Sequence, residues 1–291
     1  MDTTELIKKV RKIEIKTRGI TKQLFSGDYH SVFKGRGMAF SEVREYQVGD
    51  DIRSIDWNVT ARYASPYVKI FEEERELTVV LLVDISGSQS FGTHSQFKRD
   101  LVTELCAVLT FSAIQNNDKI GVLFFSDKIE KFIPPKKGKT HALRIIRELL
   151  EITPSGKGTD VGNALKYLTN VMKKRSIVFL VSDFITPGFD EHLKIASNRH
   201  DTIAVQIYDK YEEELPKAGL VRTYDPETGN MDWIDTNDKN VRQEYKSWRE
   251  SMQKNLANIC TRNKVDMIKI RTDESYIAPL QNFFKKRERR K

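Results

Sequence analysis

Five consecutive strand-forming apolar residues, Val79-Val80-Leu81-Leu82-Val83, end in Asp84, and serines follow at Ser86 and Ser88. An apolar run of this kind, without polar alternation, fits a strand covered on both faces, as in a parallel sheet flanked by helices. Asp84 then falls at the carboxyl end of that strand, and a periodic apolar pattern beginning at Phe97 places a helix beyond a polar loop. The same rhythm continues downstream. Strands are expected near 78–83, 119–126, 176–182, 201–207 and 265–270, and helices near 95–115, 140–151, 160–174, 190–198 and 238–260, with one more after the last strand. Alternation of this type predicts an α/β fold with a doubly wound, mostly parallel sheet. KIGVLFFSDKIEKFIPP turns at Ser126-Asp127, so its return near 129–133 is expected as an antiparallel edge strand. Residues 219–236, turning at DPETGN, read as a second hairpin within an insertion at about 209–237.

The chain divides near residue 76. Residues 77–291 form the main domain, and residues 1–76 are expected as an N-terminal extension packed on it. The extension opens with a basic helix at roughly 3–17, has a turn signal at Gly49-Asp50-Asp51 and offers a short strand at YVKIF. Elsewhere its periodicity is weak. Its charges, Arg44, Asp50, Asp51, Arg53, Asp56 and Arg62, alternate in sign around Trp57, which suggests ion pairs locking an irregular segment. Trp57, Tyr63, Tyr67 and Phe71 are its expected apolar anchors.

Composition narrows the function classes. The net charge is +8, but the tail KKRERRK at 285–291 supplies +5 of it, leaving the remainder nearly balanced. No aromatic-interleaved basic signature accompanies the tail, so it reads as a solvated helix end and not as a nucleic-acid site. The two cysteines, Cys106 and Cys260, lie far apart in helical patterns and read as buried thiols of a reducing compartment. The N-terminus lacks an apolar leader-like run, and no uncharged apolar stretch is long enough to span a bilayer; the expected address is the cytoplasm.

Three loops converge in this arrangement, because ligands of doubly wound sheets bind beyond the carboxyl ends of the strands at a topological switch point. Asp84, Ser86 and Ser88 follow one strand, Asp183 of VSDF ends another, and Thr159 lies in the Gly-rich SGKGTD before a helix. The set offers carboxylate and hydroxyl oxygens with no His or Cys, which favours Mg²⁺, Mn²⁺ or Ca²⁺ over Zn²⁺. Each residue also has a purely structural alternative: Ser86 or Ser88 capping the next helix, Thr159 or Asp160 capping the helix at 160, Asp183 ending a strand.

DISGS, the later GTD and the strand-terminal SDF resemble the metal-ion-dependent adhesion site of von Willebrand factor A domains. Asp84, Ser86 and Ser88 match its first loop, Thr159 its second and Asp183 its third. The upstream GRGMAFSEVREYQVGDDIRSIDWNVTAR, through YVKIFEEERE, is similar to the bacterial domain of unknown function 58 family, and the resemblance covers roughly residues 25–235. It implies a von Willebrand factor A-like domain with a non-catalytic binding role, a bound divalent cation, an acidic group of a client at the metal, and partnership with a MoxR-type AAA+ ATPase as adaptor or co-chaperone. Two departures stand out. Many relatives look membrane-attached, and Gln89 occupies a place that is usually apolar.

Two other functions remain open from the sequence. A strand-end Asp near Mg²⁺ is also how haloacid-dehalogenase-like phosphotransferases present a nucleophile, which would be Asp84, but the +2 residue here is Ser86 and Asp183 lacks an adjacent acidic partner in the sequence. Nucleic-acid binding through the tail would show as steep salt dependence.

Overall fold

The computed structural model describes residues 10, 13–14, 39–63, 65–72, 76–90, 97–224 and 229–290. The chain divides into two compact units, Phe33–Leu77 and Thr78–Lys291, the latter joined by the segment up to Val32.

The larger unit is built on six strands: β3 (Thr78–Asp84), β4 (Lys119–Phe125), β5 (Ile129–Lys136), β6 (Ile177–Ser182), β7 (Asp201–Tyr208) and β10 (Asp266–Arg271). Their order across the sheet is β10-β7-β6-β3-β4-β5, with β5 alone antiparallel. Renumbered within the unit this is the 3-2-1-4-5-6 order of doubly wound sheets, and its direction reverses between β3 and β6. β3 is central, and after Thr78 it has nothing polar before its end: Val79 to Asp84 are all buried.

Alternate residues of β3 serve opposite faces. Val80 and Leu82 join a cluster with Val161, Leu165 and Leu168 of α4 (Val161–Val171), Leu193 and Ala196 of α5 (Asp190–Arg199), and Leu256 and Cys260 of α7 (Lys239–Arg262). Val79, Leu81 and Val83 point the other way, where α2 (Lys98–Gln115) makes contact with the sheet and packs against α3 (Lys139–Glu151) through Ala107, Phe111 and Ile146. The helix α2 is buried on most of its circumference, from Lys98 through Ala113.

The hairpin at 119–136 appears as expected, and β5 runs on through Pro134-Pro135 because its edge position leaves their missing N–H groups without consequence. The insertion contains a single turn of helix, α6 (Lys210–Glu213), that the sequence reading did not anticipate, and then β8 (Leu220–Tyr224) paired antiparallel with β9 (Met231–Asp235). Residues 225–228 of the expected turn lie outside the described residues. The final helix, α8 (Ile277–Glu288), carries the basic tail, which is only partly a solvated end. Arg287 bonds Asp201 bidentately at 2.9 and 2.6 Å and Asp266 at 2.6 Å, and Arg290 reaches Asp266 at 2.8 Å.

Of the basic helix expected at 3–17, Val10, Ile13 and Glu14 are helical, and the rest lies outside the described residues. The smaller unit corrects the reading of weak structure before YVKIF. It contains β1 (Ala39–Glu45), α1 (Trp57–Tyr63) and β2 (Tyr67–Glu72), with β1 and β2 antiparallel around a register break between Phe40 and Glu42. That break scrambles the alternation by which a strand is recognised. Several of its charged residues pair within the unit. Arg44 grips Asp50 at 2.8 and 2.7 Å, Lys69 lies 3.4 Å from Asp56, and Asp51 and Asp56 accept the first N–H groups of the helical turns that follow them. Trp57 and Tyr63 are exposed, and the Tyr63 ring packs tilted against Tyr67 with centroids 5.6 Å apart. The Phe71 side chain lies outside the described residues.

Candidate metal centre

β3 and β6 end side by side at the switch point, so Asp84 and Asp183 arrive at one place. The loops beyond them are laced together. The Gly87 N–H donates to the Lys157 carbonyl at 3.3 Å, and the Thr186 hydroxyl donates to the Thr159 carbonyl at 2.9 Å. The loops bearing Ser86 and Ser88, Thr159 and Asp183 therefore form one surface, as the three motifs required.

Within it, Asp84 is 1% exposed. One of its carboxylate oxygens accepts the Ser86 N–H at 2.9 Å and the other the Ser182 hydroxyl at 2.6 Å. The Ser86 and Ser88 hydroxyls lie 3.1 Å apart, and Ser88 and Thr159 are half-buried. Asp183 is 2% exposed, with one oxygen accepting the Ile185 N–H at 3.2 Å. Phe184, next in the chain, adopts φ 58°, a left-handed conformation that a bulky residue rarely takes, and packs on Phe189 with ring centroids 5.9 Å apart. Strain of that kind persists where the surroundings over-determine it, and here it fixes the turn that carries Asp183.

The structural alternatives come out differently from residue to residue. α2 has Phe97 at its N-cap with no side-chain bond, so neither Ser86 nor Ser88 caps it. Asp160 caps α4, accepting the Asn163 N–H at 2.8 Å. The Gly-rich loop is held from below by Glu130 of β5. Glu130 accepts the Ser126 hydroxyl at 2.7 Å, the Ser155 and Gly156 N–H groups at 2.9 Å and the Ser155 hydroxyl at 2.6 Å. Burial raises the Glu130 pKa, but these bonds outweigh it and hold the carboxyl down at about 2. A Cβ on Gly156 would fall 1.7 Å from an Asp127 carboxylate oxygen and 2.4 Å from the Ser126 hydroxyl, so any other residue there would have to displace those side chains.

Do these residues fit a cation? Burial first, and the Asp183 charge second, push the Asp84 carboxyl well above its ordinary value, against the opposing bonds from Ser182 and Ser86. A buried carboxylate whose ionisation is disfavoured by a second carboxylate beside it is the charge pattern a divalent cation relieves. The donor set is oxygen alone, which suits Mg²⁺, Mn²⁺ or Ca²⁺. Among the described residues no cluster of three or more His, Cys, Asp and Glu side chains is poised for a metal, so a cation here would rest on two carboxylates, hydroxyls and water. The fit holds on those terms. The two carboxylates lie beneath the surface, with Ser88 and Thr159 the less buried of the five residues.

Sequence reasoning missed two further residues. The Lys98 side chain, at the start of α2, is fully buried with its ammonium 3.3 Å from Asp183 and bonded to Glu212 of α6. Glu212 also accepts the Asp209 N–H at 2.9 Å, completing a capping box, and lies 3.6 Å from the Arg249 guanidinium. The Lys98 signal was present, because it stands three residues before Leu101 on the buried stripe of α2, where the pattern calls for an apolar side chain. D-x-x-E at 209–212 was likewise a capping signature.

A doubly wound sheet with one antiparallel edge strand and acidic loops at its switch point is a von Willebrand factor A-like fold. Within that class the chain belongs to the family described as protein of unknown function DUF58, which it matches over residues 42–255. It is 28% identical to the uncharacterized protein Rv1480 of Mycobacterium tuberculosis, an alignment covering 99% of this chain and 92% of that one. The uncharacterized protein YeaD of Bacillus subtilis is 28% identical over 38% of this chain and 25% of its own length. Among solved structures, the conserved hypothetical protein BatB from Bacteroides thetaiotaomicron matches with a TM-score of 0.50 and 17% identity, covering 73% of this chain and 99% of that one. An aerotolerance-related membrane protein from Bacteroides fragilis matches with a TM-score of 0.50 and 16% identity, covering 74% and 100%. These two likenesses concern the fold alone. Among the described residues of this chain, no helix is long and apolar enough to cross a membrane.

Proposed function

We propose that this chain is a non-catalytic, divalent-metal-dependent protein-binding module that works in the cytoplasm as an adaptor or co-chaperone of a MoxR-type AAA+ ATPase. The observation that carries this reading is the lacing of three strand-end loops around two buried, mutually repelling carboxylates flanked by neutral hydroxyls. Asp84 and Asp183 would hold the cation, directly or through water, with Ser86, Ser88 and Thr159 completing the set. When bound, Mg²⁺ or a similar cation would offer coordination positions that two carboxylates and neutral hydroxyls leave to water, and a partner's acidic group could take one of them. Ser182 and the Ser86 N–H hold the Asp84 carboxylate in one orientation, so that site geometry is set before a partner arrives. The ATPase partnership rests on the family resemblance.

Affinity capture from a native lysate in Mg²⁺ and in chelator, with the wild type and Asp84→Asn, tests the reading. Chelator-sensitive recovery of an AAA+ ATPase by the wild type alone is the expected result. Equal capture by Asp84→Asn would overturn the metal-dependent mechanism.

One observation gives the phosphotransferase reading some support, since Lys98 places a buried ammonium beside Asp183. Against it, both Asp84 oxygens already accept hydrogen bonds and the side chain is enclosed, which leaves no presented nucleophile. Trapping by beryllofluoride on Asp84 would reverse that judgement.

A further inference from the structure

We infer that Lys98 is an internal cation of the metal centre: its ammonium neutralises Asp183 when no metal is bound and competes with the divalent ion, so that the Lys98–Glu212 pair sets the metal affinity. The inference rests on the proposed metal reading and assigns its regulation to residues outside the five-residue motif.

The placement of Lys98 is costly unless it serves a charge. Its side chain is 0% exposed and that of Asp183 1%, and an ammonium leaves water only where carboxylates replace the lost hydration. Two do so, from different elements. Asp183 lies at the end of β6 and Glu212 on α6, and Glu212 is itself steadied by the Asp209 N–H and faced by Arg249. Arg249 is also buried, with its Nε and one terminal nitrogen lacking hydrogen-bond partners. The charges thus run in a row: Asp84, Asp183, Lys98, Glu212, Arg249. A dication entering between the first two meets the Lys98 charge across a single carboxylate, where low dielectric makes like-charge repulsion strong. Among the described residues the ammonium has one other carboxylate within salt-bridge distance, so it must retire onto Glu212. Glu212 therefore determines how readily Lys98 gives up Asp183, and metal occupancy is coupled through it to α6 and α7.

A purely structural ion pair would behave differently. It would tie α2 to β6 and α6 and change stability when broken, but it would leave metal affinity unmoved.

The test is a cycle in the full-length chain: wild type, Lys98→Met, Glu212→Gln and the double variant, each measured by calorimetric titration with Mg²⁺ and Mn²⁺ and by thermal melting in chelator. Lys98→Met, close in shape and uncharged, should bind Mg²⁺ at least tenfold more tightly. Glu212→Gln leaves the ammonium on Asp183 alone and should bind several-fold more weakly. In the double variant the Glu212 effect should disappear, because it acts only through Lys98. If the wild type binds metal and neither single variant shifts its affinity, whatever their melting temperatures, the inference is wrong and the metal reading stands. If no variant binds metal, both are wrong. Should Lys98→Met not fold, an unchanged or tighter affinity in Glu212→Gln is enough to overturn the competition.

Discussion

Asp84 does more than end a strand. It accepts the Ser182 hydroxyl and the Ser86 N–H from an enclosed position, so removing it has two separable consequences. Asp84→Ala orphans both donors and should cost about 1–3 kcal/mol of stability. Asp84→Asn keeps an acceptor and deletes the charge opposing Asp183, so metal-free melting should match or exceed the wild type while metal-induced stabilisation vanishes; melting in chelator and in Mg²⁺ reads both. Glu130 gives the pH prediction. Its carboxyl is held at about 2 in the folded chain, below its unfolded value, so its contribution is fully present above the unfolded pKa and is lost as pH falls toward 2. Glu130→Gln should therefore be less stable than the wild type at neutral pH by about 1–2 kcal/mol, with the gap closing on acidification; denaturant melts at several pH values check it.

At the scale of elements, β3 and α2 do most of the placing. β3 is central in the sheet, and centrality puts Asp84 at the switch point beside β6. The edge pair β4–β5 is held by a close backbone approach at Gly121, where a Cβ would meet the Pro135 nitrogen at 2.8 Å and the Ile133 carbonyl at 2.9 Å. Both are main-chain or ring atoms that have little freedom to yield. Gly121→Ala should cost about 1–3 kcal/mol through overpacking. Because Gly121 pairs with Val80, well before Asp84 along β3, metal affinity should be unchanged, a separation that calorimetry beside melting resolves.

For the whole molecule, metal binding should appear as stability. A ligand of the folded state alone adds about 2.7 kcal/mol at a free concentration one hundred times its dissociation constant. Melting temperature should accordingly rise with Mg²⁺ in the wild type and stay flat in Asp84→Asn. The smaller unit has its own ladder, its bidentate Arg44–Asp50 pair and capped helical turns, and its backbone between 40 and 70 should resist limited proteolysis in the native chain. Rapid cleavage there, with the larger unit intact, would contradict that.

Some of this was written into local sequence. Apolar runs without alternation dictated a sheet buried on both faces, and helical periodicity supplied its covers, because burial and period are properties of neighbouring residues. The five oxygen-bearing positions were legible for the same reason: each ends a strand or precedes a helix within its own short motif. Tertiary structure decided what no local pattern holds. A register break hid β1, and a single turn hid α6. Burial of the two carboxylates, the Asp183–Lys98–Glu212 row and the pairing of Arg287 with Asp201 and Asp266 join residues 21 to 114 positions apart. Charge energies of that kind depend on distance and dielectric in the folded chain, and neither exists until the sheet has formed.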